Sequence, residues 1–150
     1  MRTLIILAVA LVATGCTRVS LDHHLNNAYR AYNEGDCARV ALELSQVDKV
    51  EVMMTGGTLR KKSMSFYGSQ AEQALKHYQF DKVILGVDGF DLRTGLSTHF
   101  EDEATLNRLM CEVAHQIIVV TDSSKFERRG FHLICAANQV HTLVTDAGIP

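Results

Sequence analysis

Two short, almost wholly apolar runs constrain this chain more than any other feature. Lys82 to Val87 (KVILGV) and Gln116 to Val120 (QIIVV) are too short for core helices and rich in β-branched side chains, so they read as buried strands. Helical spacing lies around them. Leu106, Leu109, Met110 and Val113 mark one helix face between the two runs, and Ala71, Ala74, Leu75 and Tyr78 mark another ahead of the first. The acidic stretch Glu101-Asp102-Glu103 falls in the first turn of the later helix, where the helix dipole favours negative charge. His141 to Thr145 (HTLVT) reads as a last strand, and Val50 to Met54 as a short first one. Strands interleaved with helices predict an α/β unit over residues 49–150: a mostly parallel sheet with flanking helices.

In such sheets the ligand sits in the polar loops that follow strand C-termini. Three loops qualify: Thr55 to Ser65, Asp88 to His99, and Asp122 to Lys125. The first joins the backbone N–H groups around Gly56 and Gly57 to Arg60, Lys61 and Lys62, chemistry suited to an anion such as a phosphate. The second brings the carboxylates Asp88 and Asp91, which can accept hydrogen bonds from sugar hydroxyls. The third sets Lys125 beside two serine hydroxyls. Taken singly, each is better read as an ordinary glycine turn, a capping or turn-forming aspartate, or a solvated surface lysine. Their joint placement at one sheet edge predicts a small polar-ligand site.

Composition narrows the partners. A formal net charge of −2 excludes a polycation, and the absence of Trp with only 7% aromatics argues against a base-stacking platform for nucleic acid. His23-His24 and Cys37 lack metal-ligand spacing, so neither a metal nor a cofactor is expected.

The start of the chain reads differently. Leu4 to Val12 is apolar throughout, follows a basic Arg2, and is far shorter than the roughly 20 residues a spanning helix needs. Ala13-Thr14-Gly15-Cys16 comes next, and the whole resembles a bacterial lipoprotein signal. The expectation is a signal peptide over residues 1–15 and a lipid anchor at Cys16, which would place the chain at a membrane. Residues 16–48 then carry two apolar stripes, Leu21, Leu25, Ala28, Tyr29 and Tyr32, and Val40, Ala41, Leu44 and Val47. Gly35 suits a helix end and Asp36 the next N-cap, predicting a helical hairpin. Its spelling Ala28-x3-Tyr32-x2-Gly35-Asp36-x-Ala38 resembles the centre of a tetratricopeptide repeat. One repeat cannot bury its own face, so two amphipathic helices are the preferred reading.

From Met53 onward the motifs are more specific. Thr55-Gly56-Gly57-Thr58-Leu59-Arg60, Ser63-x-Ser65-Phe66-Tyr67-Gly68 and Leu85-Gly86-Val87-Asp88-Gly89-Phe90-Asp91 occur in order. Gly95-x-Ser97-Thr98-His99, Glu103-Ala104, Asn107-Arg108-x-Met110 and Val120-Thr121-Asp122-Ser123-Ser124-Lys125-Phe126 follow. This series resembles the C-terminal effector-sensing domain of DeoR-type bacterial transcriptional repressors. The spellings TGGTLRKKS and SFYGSQAEQ are nearest to members that repress galactosamine and N-acetylgalactosamine catabolism. The resemblance implies a sugar-phosphate-binding fold related to ribose-5-phosphate isomerase, with a phosphorylated amino sugar as effector. It implies a pocket lined by Asp88, Asp91, Glu103 and Lys125; beside it Gly56, Gly57, Arg60, Lys61 and His99 stand as further candidate ligand contacts. Arg93-Thr94-Gly95-Leu96 occupies the stretch where the isomerase lysine is expected, so binding without turnover follows. The family's winged helix-turn-helix has no counterpart among these residues, and no direct DNA binding by them is expected. Self-association through the domain and a cytoplasmic location are also implied, the latter at odds with the lipoprotein-like start. Two further readings stand beside this one: a lipid-anchored helical interaction protein with a non-functional repressor tail, and an isomerase relative.

Overall fold

The computed structural model describes residues 18–34, 36–48 and 50–149. The expected signal segment, Cys16 and the Gly35 helix end lie outside the described residues. Among the described residues no helix is long and apolar enough to cross a membrane. The chain divides into two units, the first ending at Met54 and the second running from Thr55.

The first unit is the expected helical hairpin, α1 (Arg18–Glu34) and α2 (Cys37–Ser45). Asp36 caps α2 by accepting a hydrogen bond from the Arg39 N–H at 3.0 Å, as its position predicts. The predicted stripe on α1 is only partly buried. Ala28 and Ala31 are enclosed, whereas Leu25 is 40% and Tyr29 65% exposed. A two-helix unit offers each helix one partner, so small residues and a polar clamp suffice at the crossing. His24 Nδ1 lies 3.0 Å from Glu43 Oε2, and Asn27 donates to the same oxygen at 3.3 Å. Val50 to Met54 is not a strand: no other strand's ladder reaches it, and the Val50 N–H bonds back to Val47 O at 3.2 Å. Strand propensity without a partner leaves the segment extended and unpaired.

The second unit is mixed α/β. It opens with an antiparallel hairpin, β1 (Thr58–Arg60) and β2 (Ser65–Tyr67), followed by α3 (Ser69–Leu75). Then come β3 (Phe80–Leu85), a second hairpin of β4 (Gly89–Asp91) and β5 (Gly95–Thr98), α4 (Glu101–Glu112), β6 (Ala114–Val120), β7 (His132–Cys135) and β8 (Thr142–Val144). The apolar runs become β3 and β6, which pair in parallel with Leu85 opposite Val119. β8 adds to the far side of β6, giving the order β3-β6-β8. α4 makes the crossover between the two parallel strands, the connection that a parallel pair requires.

Burial along β6 alternates instead of being continuous. Ile117 and Val119 are buried, Ile118 is half-buried and Val120 is 41% exposed. One face of the sheet therefore packs on the core, where Leu75 of α3, Leu85 of β3, Leu96 of β5 and Val119 are fully enclosed. The stretch from Asp88 to His99, read as a loop, is largely the β4–β5 hairpin, and β7 pairs with β5 to form a separate three-stranded antiparallel sheet. Gly95 makes this possible. Its φ is +97°, and a Cβ there would sit 2.1 Å from the Cys135 carbonyl oxygen, so no other residue fits between β5 and β7.

Candidate functional site

Each parallel strand ends in an aspartate within three residues. Leu85 leads to Asp88, Val120 to Asp122 and Val144 to Asp146, and β6 and β8 share the spelling Val-Thr-Asp. Parallel pairing brings these three ends to one side of the sheet, the expected place for a ligand. Two of the three predicted loops are placed there. The third, Thr55 to Ser65, does not follow a strand and belongs to the β1–β2 hairpin.

At the ends of β6 and β8 the backbone is tightly organised. The Thr121 N–H donates to Val144 O at 3.0 Å, and the Ser123 N–H donates to Asp146 Oδ2 at 3.1 Å. Asp146 Oδ1 accepts from the Gly148 N–H at 2.8 Å, and Asp122 Oδ1 from the Ser124 N–H at 2.9 Å. Hydrogen bonds from Ser124 hold the Asp122 carboxyl below the usual carboxylate range, outweighing its partial burial, and the Lys125 cation lowers it further. The N–H groups of Ser123 and Gly148 do the same for Asp146. Three oxygens here are buried and find no hydrogen-bond partner among the described residues: Thr121 Oγ1, Asp122 Oδ2 and Thr145 Oγ1. Buried oxygens left unpaired cost about 1–3 kcal/mol each, and they mark where a ligand or water supplies the missing donor or acceptor.

Asp88, at the end of β3, accepts from Thr98 Oγ1 at 2.8 Å and from the His99 N–H at 3.1 Å. It thereby ties the strand end to the start of α4. His99 itself is exposed, its ring edge-on to Phe131. Asp91 lies apart from this group. It accepts from the N–H groups of Arg93 at 2.8 Å and Thr94 at 2.9 Å, and from Arg129 Nε at 3.1 Å. Those bonds, Thr94 first and Arg93 next, lower its carboxyl to about 2. The expected pocket aspartate is thus engaged in holding the β4–β5 turn.

Glu103 is buried in the first turn of α4 and both its oxygens are taken. Arg60 Nη1 donates to Oε2 at 2.8 Å, and the hydroxyls of Ser63 and Ser65 both meet Oε1, that of Ser65 at 2.6 Å. The Arg60 guanidinium also lies 4.2 Å over the Phe100 ring. Gly57, at φ +92°, lets the chain pass close beneath β2, since a Cβ would stand 2.6 Å from Tyr67 O; Gly56 faces open space. Lys61 is exposed and Lys125 half-buried in a 3-10 turn over Ser123–Lys125.

The predicted residues therefore fall into separate groups: Arg60 with Glu103, Asp88 with the His99 backbone, Lys125 with Asp122, and Asp91 with Arg129. No hydrogen bond or ion pair among the described residues joins one group to another. Sequence reasoning missed Ser63, Ser65, Thr121, Thr145 and Asp146 as site residues. The repeated Val-Thr-Asp at two strand ends was the signal for the last three. Among the described residues no set of three or more His, Cys, Asp or Glu side chains is placed to hold a metal ion.

Comparison with known proteins agrees with this architecture. Residues 11–147 match the family described as the DeoR C terminal sensor domain, a span that takes in the helical hairpin as well as the α/β unit. The putative aga operon transcriptional repressor of Escherichia coli O157:H7 is 57% identical over 111 residues, covering 74% of this chain and 41% of that protein. The HTH-type transcriptional regulator GlpR of Haloferax volcanii is 38% identical over 108 residues, covering 72% and 42%. The HTH-type transcriptional repressor GlcR of Bacillus subtilis is 30% identical over 148 residues, covering 93% and 57%. The chain thus spans roughly half the length of these relatives, all of them transcriptional regulators. With a family match reaching across nearly its whole length and a parallel sheet whose strand ends gather polar groups, the chain belongs to the DeoR C terminal sensor domain family.

Proposed function

We propose that this chain is the ligand-sensing part of a transcriptional repressor of amino-sugar catabolism, and that its effector is a phosphorylated amino sugar bound and released unchanged. The observation that carries the reading is the trio of unpaired buried oxygens, Thr121 Oγ1, Asp122 Oδ2 and Thr145 Oγ1, at the ends of two parallel strands. A polyhydroxylated or amino-bearing ligand supplies the donors they lack, and Lys125 stands on the next turn to donate to a ligand hydroxyl. The TGGTLRKKS and SFYGSQAEQ spellings, in a chain 57% identical over 111 residues to a putative aga operon transcriptional repressor, support an amino sugar over other sugars. The commitment of Asp91 to a turn supports binding without turnover, because a carboxylate fixed by three donors is poorly placed to move a proton.

The test is thermal melting of the chain with galactosamine 6-phosphate, with glucose 6-phosphate and unphosphorylated galactosamine as comparisons. A ligand that binds only the folded state at a hundred times its Kd stabilises by about 2.7 kcal/mol. The expected result is a melt raised by several degrees with galactosamine 6-phosphate and much less with the others. A melt insensitive to all three overturns the reading.

A further inference from the structure

Among the described residues, every hydrogen bond to the Glu103 carboxylate comes from a single hairpin. Arg60 stands at the end of β1, Ser63 in the turn and Ser65 at the start of β2, so the β1–β2 hairpin folds three donors around one point. Ser63 is 8% exposed, Ser65 3% and Glu103 8%. Phe100 fixes the guanidinium plane from the other side, and Tyr67 is edge-on to the same ring with centroids 5.3 Å apart. This aromatic support does not depend on the carboxylate. A half-buried guanidinium beside two buried, inward hydroxyls has the donor set of an oxyanion pocket. Only one of the five Arg60 N–H groups has a partner at hydrogen-bond distance among the described residues, so the fork has donors to spare.

We propose that Arg60, Ser63 and Ser65 form a binding pocket for the anionic group of a ligand, and that Glu103 fills it from within as a competitor. The carboxylate stands where a phosphoryl group would be held, and anion entry displaces it. Glu103 then opposes ligand binding instead of contributing to it, the reverse of the role the sequence resemblance implies. Because Glu103 belongs to the first turn of α4, anion entry parts the hairpin from that turn and gives ligand occupancy a mechanical consequence. The identity of the sugar rests on the function proposed above, but the pocket itself is testable with inorganic phosphate.

The experiment is calorimetric titration of inorganic phosphate into the wild-type chain and into Glu103→Gln, which keeps the shape and removes the charge. If Glu103 closes the pocket most of the time, apparent affinity falls by the fraction of open molecules, so the variant should bind phosphate about tenfold more tightly. Adding Ser63→Ala and Ser65→Ala to that variant should abolish the gain. Equal or weaker phosphate binding by a folded Glu103→Gln overturns the proposal. Should the variant not fold, hydrogen exchange on the wild-type chain in phosphate against chloride, at matched ionic strength, decides the matter. Faster exchange of the Ala104 amide, which bonds to Phe100 O at 3.0 Å, supports displacement, and unchanged exchange there overturns it. Failure here leaves a galactosamine 6-phosphate shift in the wild type intact, whereas failure of the sugar reading leaves the phosphate gain in Glu103→Gln intact.

Discussion

A threonine hydroxyl buried without a partner is a liability in the empty protein and an asset in the bound one. Thr121 is 8% exposed and its Oγ1 has no hydrogen-bond partner, although its N–H is well served by Val144 O. Thr121→Val replaces that oxygen by a methyl group of similar size. Removing an unsatisfied group recovers its desolvation penalty, so the free protein should gain about 1–3 kcal/mol in urea unfolding energy. Ligand affinity should fall about five- to tenfold, the loss of one net hydrogen bond. A structural threonine would give the opposite pattern, with stability lost and binding kept. Titration calorimetry alongside urea melts separates the two. Ser63 and Ser65 teach the complementary lesson. In the sequence Ser63 and Ser65 stand only as letters of a family-like motif at the end of a candidate loop; the folding of the hairpin against α4 buries them on a carboxylate.

At the level of elements, the sequence was legible where a run was long enough to show its period. β3, β6, α4 and α3 follow the apolar spacing, and β8 the final HTLVT. β1, β2, β4, β5 and β7 are three or four residues each and lie in no apolar run that would reveal them; the β1–β2 turn holds no glycine, and Gly95 closes the β4–β5 turn. Val50 to Met54 failed for the contrary reason: the composition of a strand without a neighbour to complete it. The β4–β5 turn carries a pH prediction. Asp91 is held at about 2 by the N–H groups of Thr94 and Arg93 and by Arg129. Its folded value lies below the unfolded one of about 3.9, so the contribution of this turn is complete above that pH and is lost as pH falls through about 2. The Thr94 amide shift, followed by NMR in acid, should therefore move with a midpoint near 2. Asp91→Asn should abolish that titration, and a midpoint near 4 would show that the bonds to the turn do not form in solution.

For the whole molecule, the polar strand ends were foreseeable as a class, because a parallel sheet must present its carboxyl ends together. Their division into separate groups was not, since it depends on which donors each carboxylate finds after folding. The sheet order predicts a hierarchy of protection. β6 is hydrogen-bonded on both sides, to β3 and to β8, and its inward side chains Ile117 and Val119 are buried. Its amides should exchange slowest in the chain, ahead of β8 and well ahead of the β1–β2 hairpin. Mass-spectrometric exchange with peptide mapping reads this directly, and a hairpin as protected as β6 would contradict it.

That central strand also sets the tempo of assembly. β3 and β6 are neighbours in the sheet yet lie on either side of the β4–β5 hairpin and all of α4. Neither can be laid down by local zippering, and closing so long a loop costs entropy before any ladder bond is returned. The antiparallel hairpins and α4 are thus the early structure, and the parallel sheet the late one. The three aspartates come together only in that final step, so a newly made chain acquires the proposed ligand site all at once, when β6 docks between its two partners.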